Sequence, residues 1–495
     1  MGKKVIIIGA GISGLVAGVY AQLAGYDVDI YESHSIVGGN CTGWVRKGYH
    51  IDGCIQWLTG TKKGTGVNKI WQTCGALTDD TQIYIPEEIA STVYNGKTYH
   101  LFTDLEKTER EFLKISPEDK TAIKQLMKDI RRYQNLNAPI DKPFEEMNLF
   151  HLLPLIWKVI LKGKTDKRIE SMTIGEYLGE FKSPIIRQLL FCVFPSEMPA
   201  YAMFYCLGIR SSGDGGWPVG GSVGLVKRMQ QRFETLGGRV HFNSLVDKII
   251  IKEGIATGIQ LKDDESEISA DYIIPAVDGE MLHTYFLEGK YQDEYFTTRY
   301  ADKQNYLLLT GTYVGLGLQA DLSTYPHNVY VRAKEPLRIN NTEISAFNVK
   351  IYNFDPNFTE GGKTVMAILL TEDEYDYWKN LKARSHEEYK AVKKQIAEWA
   401  QEAIIGVYPE LEGKFDMSSV ATPLTFNRYC NSYRGTYMSF IPYGNVKKQF
   451  HRGTIKGIKN LFVAGQSSFP VGGLPLAAIT GKFAVQRLVK ADKLK

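Results

Sequence analysis

Residues 4–32, KVIIIGAGISGLVAGVYAQLAGYDVDIYE, decide the reading of this chain. Lys4–Ile8 is a short, apolar, β-branched run of the kind found in buried parallel strands. Gly9-Ala10-Gly11-Ile12-Ser13-Gly14 follows at once, and from Ile12 to Ala24 the apolar and small residues fit one helix. Val28–Tyr31 alternates as a second strand, which Glu32 ends. The order is βαβ, with GxGxxG at the first turn and an acid about twenty residues on, the pattern of a dinucleotide-binding unit. Gly9 permits the tight turn and Gly11 the close approach of backbone to a pyrophosphate. Gly14 and Gly18 let the helix sit close to the strand. The helix start offers free N–H groups and partial positive charge to phosphates. Glu32 can accept hydrogen bonds from ribose hydroxyls, and its charge disfavours a 2′-phosphate.

The chain has 495 residues, enough for two or three domains. Its net charge of +4 is small for that length, and the basic residues form no long run, which argues against a nucleic-acid partner. Cysteines at 41, 54, 74, 192, 206 and 430 form neither a CxxC pair nor a zinc spacing. They read as reduced thiols of a cytoplasmic protein without a metal site. No signal peptide precedes the first strand. No apolar run reaches the roughly 20 residues of a membrane span.

After Glu32 come Ser33, then Gly38-Gly39-Asn40-Cys41-Thr42 and Gly48-Tyr49-His50-Ile51-Asp52-Gly53. A double glycine six residues after the ribose acid suits a second backbone approach to a cofactor. This pattern resembles the FAD-dependent phytoene desaturase, carotenoid isomerase and retinol saturase superfamily, within the wider amine-oxidase-like flavoproteins. Many of its desaturases have Arg directly after the double glycine, where this chain has Asn40. The run from Asp52 to Gln56-Trp57 looks closer to the saturase and isomerase branches.

Further segments carry the resemblance. Trp217-Pro218-Val219-Gly220-Gly221 matches a Pro-x-Gly-Gly turn that opens a helix, expected here to run to about Leu236. Strands are expected at Val240–Phe242, Val246–Ile251 and Thr257–Leu261, with Ile268–Pro275 returning to the Rossmann sheet. The resemblance implies that the Val246 backbone bonds the adenine. Asn460–Gln466 reads as a strand ending at Gly465. Pro470–Pro475 reads as a second Gly-rich turn opening a terminal helix, Leu476–Val489, and the resemblance implies that it covers the ribityl chain and flavin ring. A helix start aimed at the pyrimidine end of the ring stabilises the charge of reduced flavin. Relatives often carry Asp or Glu where this chain has Gln466.

The resemblance thus implies FAD held by Gly9, Gly11, Ile12, Ser13, Gly14, Glu32, Ser33, Gly38, Gly39, Asn40, Val246, Gly465, Gln466, Gly473, Leu474 and Pro475. It implies an α/β fold: a Rossmann-type, GR2-like FAD-binding domain from residues 1–75, 215–290 and 450–495. A mixed-sheet substrate domain would take 76–104 and 291–449, and a helical cap 105–214. Ser91–Tyr94 and Thr98–Phe102 around Asn95-Gly96 read as a hairpin. Tyr306–Leu316, Glu343–Tyr352 and Val365–Leu370 read as strands, and Ser385–Tyr408 as one amphipathic helix. Leu149–Leu161, LFHLLPLIWKVIL, is apolar nearly all round and followed by lysines. It reads either as a peripheral anchor at the inner membrane face or as a buried helix or lid.

No acid–base pair stands out. Trp57, Asn427 and Tyr429 are the catalytic candidates, in segments that reach the flavin in relatives. The implied activity is saturation or desaturation of carbon–carbon bonds in an apolar polyene or isoprenoid. A redox-neutral polyene isomerase and a non-catalytic flavin-binding lipid-interaction protein stand as alternatives. An amine oxidase is the weaker enzymatic reading.

Overall fold

The computed structural model describes residues 2–135, 140–147, 169, 172–191, 196, 198–358, 363–371, 373–442, 446 and 450–494. The Leu149–Leu161 run lies outside them.

The opening unit forms as its sequence requires. β1 is Lys4–Ile8, α1 is Ile12–Leu23 and β2 is Asp27–Tyr31. β1 pairs in parallel with β2 on one side and with Tyr272–Pro275 on the other, and β2 pairs in parallel with Arg239–His241. Four parallel strands from two distant parts of the chain, residues 4–31 and 239–275, therefore make one sheet, with α1 across it. A methyl at Gly14 would sit 1.9 Å from Gly9 O, and one at Gly18 would meet Phe233 and Ile30 within 3.0 Å. Both glycines are therefore required by packing. Asn460–Ala464 runs beside the sheet: Ile273 N donates to Asn460 O, and Phe462 N and Ala464 N donate to Ile273 O and Pro275 O, each at 3.0 Å. The expected strand is thus an extended edge with a single bridge pair, Ile273–Leu461, because the next residue in register, Pro275, accepts from Ala464 N but has no N–H to donate to Phe462 O.

Ile268–Pro275 is two strands, not one. Glu267–Ser269 joins a three-stranded antiparallel sheet with Val246–Lys252 and Ile255–Leu261, and Tyr272–Pro275 joins the parallel sheet. The β3–β4 hairpin, Gly43–Arg46 and Tyr49–Asp52, follows the double glycine and turns through Lys47 and Gly48, both at positive φ. The expected Asn95-Gly96 hairpin is present as Glu88–Tyr94 and Lys97–Phe102. It extends a seven-stranded sheet in the order Phe415–Ala421, Thr310–Leu318, Lys363–Thr371, Thr342–Ile351, Asn328–Ile339, Glu88–Tyr94, Lys97–Phe102. Only the Asn328–Ile339 and Glu88–Tyr94 neighbours are parallel.

One face of that sheet, with Val314, Leu316, Val349 and Ile351, packs on the His386–Val407 helix through Ile396, Ala400 and Ile404. The other presents Tyr313 to the core shared with the parallel sheet. Helices Leu105–Ile115, Lys120–Tyr133, Pro184–Phe191 and Ala200–Arg210 cover the hairpin end around Phe112, Leu126, Leu189 and Phe204. Pro184 opens one of these helices rather than breaking it, since proline is tolerated in a first turn.

Candidate functional site

A groove of about 680 Å³ runs over the carboxyl ends of the parallel strands, where ligands of open α/β sheets bind. Gly9, Gly11, Ile12, Ser13, Glu32, Ser33, Gly38, Gly39, Asn40, Val246, Gly465, Gln466, Gly473 and Leu474 all line it. Gly14 and Pro475 stand behind it. Gly14 is held against Gly9, and Pro475 is in the first turn of the last helix, Leu474–Lys493.

Two helices begin at this groove with no side-chain cap. The residue before α1 is Gly11 and the residue before the last helix is Gly473, and neither start is satisfied by a side chain. Free N–H groups and the positive ends of two helix dipoles thus face one cleft, an arrangement suited to phosphate and to an anionic ring. A methyl at Gly11 would meet nothing closer than Gly38 O at 3.9 Å, so the room before this backbone belongs to the groove. Gly38 N donates to Ala10 O at 2.9 Å, which draws the double glycine beside the first turn.

Glu32 is buried at the groove edge. Its Oε2 accepts from Ala10 N at 2.7 Å and its Oε1 from His34 N at 2.8 Å. Asp278 closes the far side of the sheet end. Its carboxyl accepts from Tyr300 OH at 2.6 Å and from Glu280 N at 3.0 Å, and desolvation raises it above the usual carboxylate range. Asn40 Nδ2 donates to Thr436 O at 3.3 Å, while the buried Asn40 Oδ1 has no protein donor and is free for a ligand.

Arg46, Lys382, Lys393 and Arg428 add cationic side chains to the lining. Burial first, then Arg46 and Lys382, hold the Lys393 ammonium below its ordinary range. The sequence pointed to none of these four as a group. They come from four separated elements, and each reads alone as a solvated charge. The two helix starts, the ribose acid and the orphaned Asn40 oxygen fit a dinucleotide with a ring at the second helix. Among the described residues no group of three metal-capable side chains occurs.

The catalytic candidates are not brought together. Tyr429 lines the groove, about half exposed (48%), edge-on to His34 at 5.5 Å. Asn427 holds a loop instead: its Oδ1 accepts from Tyr375 OH at 3.0 Å and its Nδ2 donates to Ser432 O at 3.0 Å. Trp57 packs away from the groove, with the Arg210 guanidinium 5.9 Å from its ring.

Behind Trp57 lies a buried cation that the sequence did not reveal. Lys350 Nζ donates to the Gln56 carbonyl and sits 5.2 Å from the Trp217 ring and 5.9 Å from Phe354. Burial, reinforced by Arg210, brings its pKa down to about 7. Desolvation likewise lowers His327 well below the ordinary imidazole value.

A family model described as flavin containing amine oxidoreductase matches residues 12–489. The chain is 23% identical to a 4,4'-diapophytoene desaturase (4,4'-diapolycopene-forming) of Methylomonas sp, over 98% of this chain and 96% of that one. It is 24% identical to prolycopene isomerase 1, chloroplastic, of an Oncidium hybrid cultivar, over 98% and 84%. Among solved structures, an oxidoreductase from Methanosarcina mazei superposes with a TM-score of 0.64 at 16% identity, covering 98% of this chain and all of that one. Cyclohexylamine oxidase from Brevibacterium oxydans gives 0.58 at 16%, with both chains fully covered. At these identities the structures show the shared fold.

Proposed function

The chain belongs to the flavin containing amine oxidoreductase family and takes FAD as its cofactor, and from that premise we propose that it saturates or desaturates carbon–carbon bonds of an apolar polyene or isoprenoid. The observation that carries this reading is full-length similarity to enzymes named for desaturating diapophytoene and phytoene and for isomerising prolycopene. All three names concern carbon–carbon double bonds.

When bound, FAD supplies two-electron exchange. The protein's share is position and charge. Glu32 would hold the ribose, the Gly9–Gly14 turn and the start of α1 the diphosphate, with Gly38, Gly39 and Asn40 beside it. Ser33, Val246, Gly465 and Gln466 would serve the adenosine and ribityl parts. Gly473, Leu474 and Pro475, at the start of the last helix, would serve the ring, whose negative charge the helix dipole would favour. Residues 1–75, 215–290 and 450–495 make this flavin-binding part; the parallel sheet, drawn from the first two, and Asn460–Ala464 bonded along its edge support the division. Segments 76–104 and 291–449 floor the substrate side, and 105–214 caps it.

No helix among the described residues is long and apolar enough to cross a membrane. For an apolar substrate we assign the protein to the cytoplasm with peripheral contact at the inner membrane face. The Leu149–Leu161 sequence and its following lysines support the contact. Replacing Leu155, Ile156 and Trp157 with Ser should abolish liposome binding; unchanged binding would refute it.

Incubating holoenzyme with conjugated polyenes and weighing the products tests the activity. A gain or loss of two hydrogens supports the reading. An isomer of unchanged mass selects the isomerase, and no product from any polyene defeats both.

A further inference from the structure

Two cations are buried in this protein without an anion. Lys350 is 5% exposed and Arg210 7%, and among the described residues neither forms an ion pair with a carboxylate. A circuit of contacts joins them. Lys350 Nζ donates to the Gln56 carbonyl, and the Arg210 guanidinium sits 5.9 Å from the ring of the next residue, Trp57. On the other side, Arg210 Nη1 and Asn328 Nδ2 donate to one carbonyl, that of Ile89, at 3.4 and 3.0 Å. Asn328 in turn faces Lys350 across the sheet ladder. The circuit closes, so both cations border one buried region.

That region has donors and lacks an acceptor. Buried Arg210 Nε and Gln56 Nε2 have no hydrogen-bond partner. The neighbouring carboxylates are already filled. Asp52 accepts from Ser222 N, Cys54 N and Ile55 N. Asp355 Oδ2 accepts from Trp217 Nε1 and Gly220 N, each at 2.8 Å, and its Oδ1 from Asn357 N at 3.0 Å. The remaining walls are apolar: the Trp217 and Phe354 rings lie 5.2 and 5.9 Å from Lys350 Nζ. Unpaired buried charge is costly, and a ligand that brings the anion would offset that cost.

The sheet links this region to the cofactor groove. Tyr313 faces Ile368, Ile368 faces Asn348, and Lys350 follows two residues on, so Tyr313 and Lys350 share one face. Strand spacing sets them roughly 12 Å apart. Tyr313, whose buried hydroxyl has no partner, lines a small cavity with Asn40 and Phe426. Those two residues also line the groove.

We propose that the Lys350–Arg210 region receives a terminal carboxylate of the substrate, so that the protein acts on polyene or isoprenoid acids rather than on hydrocarbons. The carboxylate accepts from Lys350 Nζ, Arg210 Nε and Gln56 Nε2, and the apolar chain runs along the sheet face towards Tyr313. The proposal rests on the polyene reading and narrows it.

The test titrates holoenzyme with retinoic acid and with retinol, which carry one polyene chain and differ at its end, while tryptophan fluorescence is followed. The wild type should bind the acid about tenfold or more tighter than the alcohol, as charge-assisted hydrogen bonds require. Lys350→Met and Arg210→Met should each weaken binding of the acid to the level of the alcohol and leave the alcohol unchanged, whereas damage to the fold would weaken both. Equal binding of acid and alcohol by the wild type overturns the proposal, as does an equal loss of both in the variants. If neither retinoid binds while the hydrocarbon lycopene is turned over, the proposal fails and the polyene reading stands. If lycopene is not turned over either, both fail. The wild-type comparison decides even if a variant does not fold.

Discussion

Lys350 shows how one buried charge sets a pH dependence. Its folded pKa of about 7 lies below the ordinary 10.5. Between those values the unfolded chain binds the proton that the folded chain has released. Stability therefore rises as pH climbs from about 7 towards 10.5, and the penalty of the buried charge is complete below 7. Lys350→Met should flatten that rise and stabilise the fold at pH 6 by about 1–4 kcal/mol, read as urea midpoints across pH. An unchanged slope would show that another group sets it. The sequence hid this residue. In Glu343–Tyr352 alternation places Lys350 on the polar side, which reads as solvent, yet the flavin-binding part of the chain covers that side. Gly14 and Glu32 were legible, because chemistry fixes their spacing. Gly14→Ala forces a methyl to 1.9 Å from Gly9 O and should cost more than about 4 kcal/mol, seen in thermal melts. Glu32→Ala should lose flavin while keeping the fold. It strips Ala10 N of its acceptor and should cost about 1–3 kcal/mol, and retention of flavin at wild-type affinity would contradict the ribose role.

Elements were legible where local chemistry decides them. Asn95-Gly96 specified its hairpin, and the His386–Val407 helix announced itself by its apolar stripe and its Ser385 cap, whose hydroxyl accepts from Glu388 N at 3.1 Å. The Asn328–Ile339 strand was missed, because its partly exposed second half, Arg332–Arg338, breaks the alternation. Joints between elements were not legible at all. Asp52 is fully buried at the end of β4. Its Oδ2 accepts from Ser222 N at 2.6 Å, at the start of the Gly221–Thr235 helix, and its Oδ1 accepts from Cys54 N and Ile55 N at 2.9 Å. Burial raises the carboxyl and these bonds oppose the rise. Asp52→Ala would orphan Ser222 N and Cys54 N and take the acceptor from Ser222 Oγ, which donates to Asp52 Oδ1 at 2.7 Å, while Ile55 N keeps Ser222 Oγ at 3.1 Å; the change should destabilise by about 3 kcal/mol or more. Flavin should be lost together with the fold, since this joint sets the hairpin beside the groove. Denaturant melts followed by flavin fluorescence and by circular dichroism should coincide; separate transitions would show that the joint is local.

At the scale of the molecule, the two chain ends were readable because each carries a glycine-rich turn that lines one groove, and the middle return because a Pro-x-Gly-Gly helix start leads into strands of the same sheet. The groove they build was readable for the same reason: all but two of the sixteen expected cofactor residues line it, and those two support its turns. The seven-stranded sheet was not readable as a unit, since its strands are far apart in sequence and its buried polar groups have no local signature. The central claim, a flavin that exchanges electrons with an apolar polyene, is tested most directly by anaerobic mixing. Holoenzyme is photoreduced and mixed with conjugated polyenes or, in parallel, with polar acceptors, while flavin absorbance is recorded. The account predicts reoxidation of the photoreduced flavin by polyene with two hydrogens gained by the product, or reduction of the oxidised flavin by polyene with two hydrogens lost. Reoxidation only by polar acceptors, or reduction of the oxidised enzyme only by amines, would contradict it.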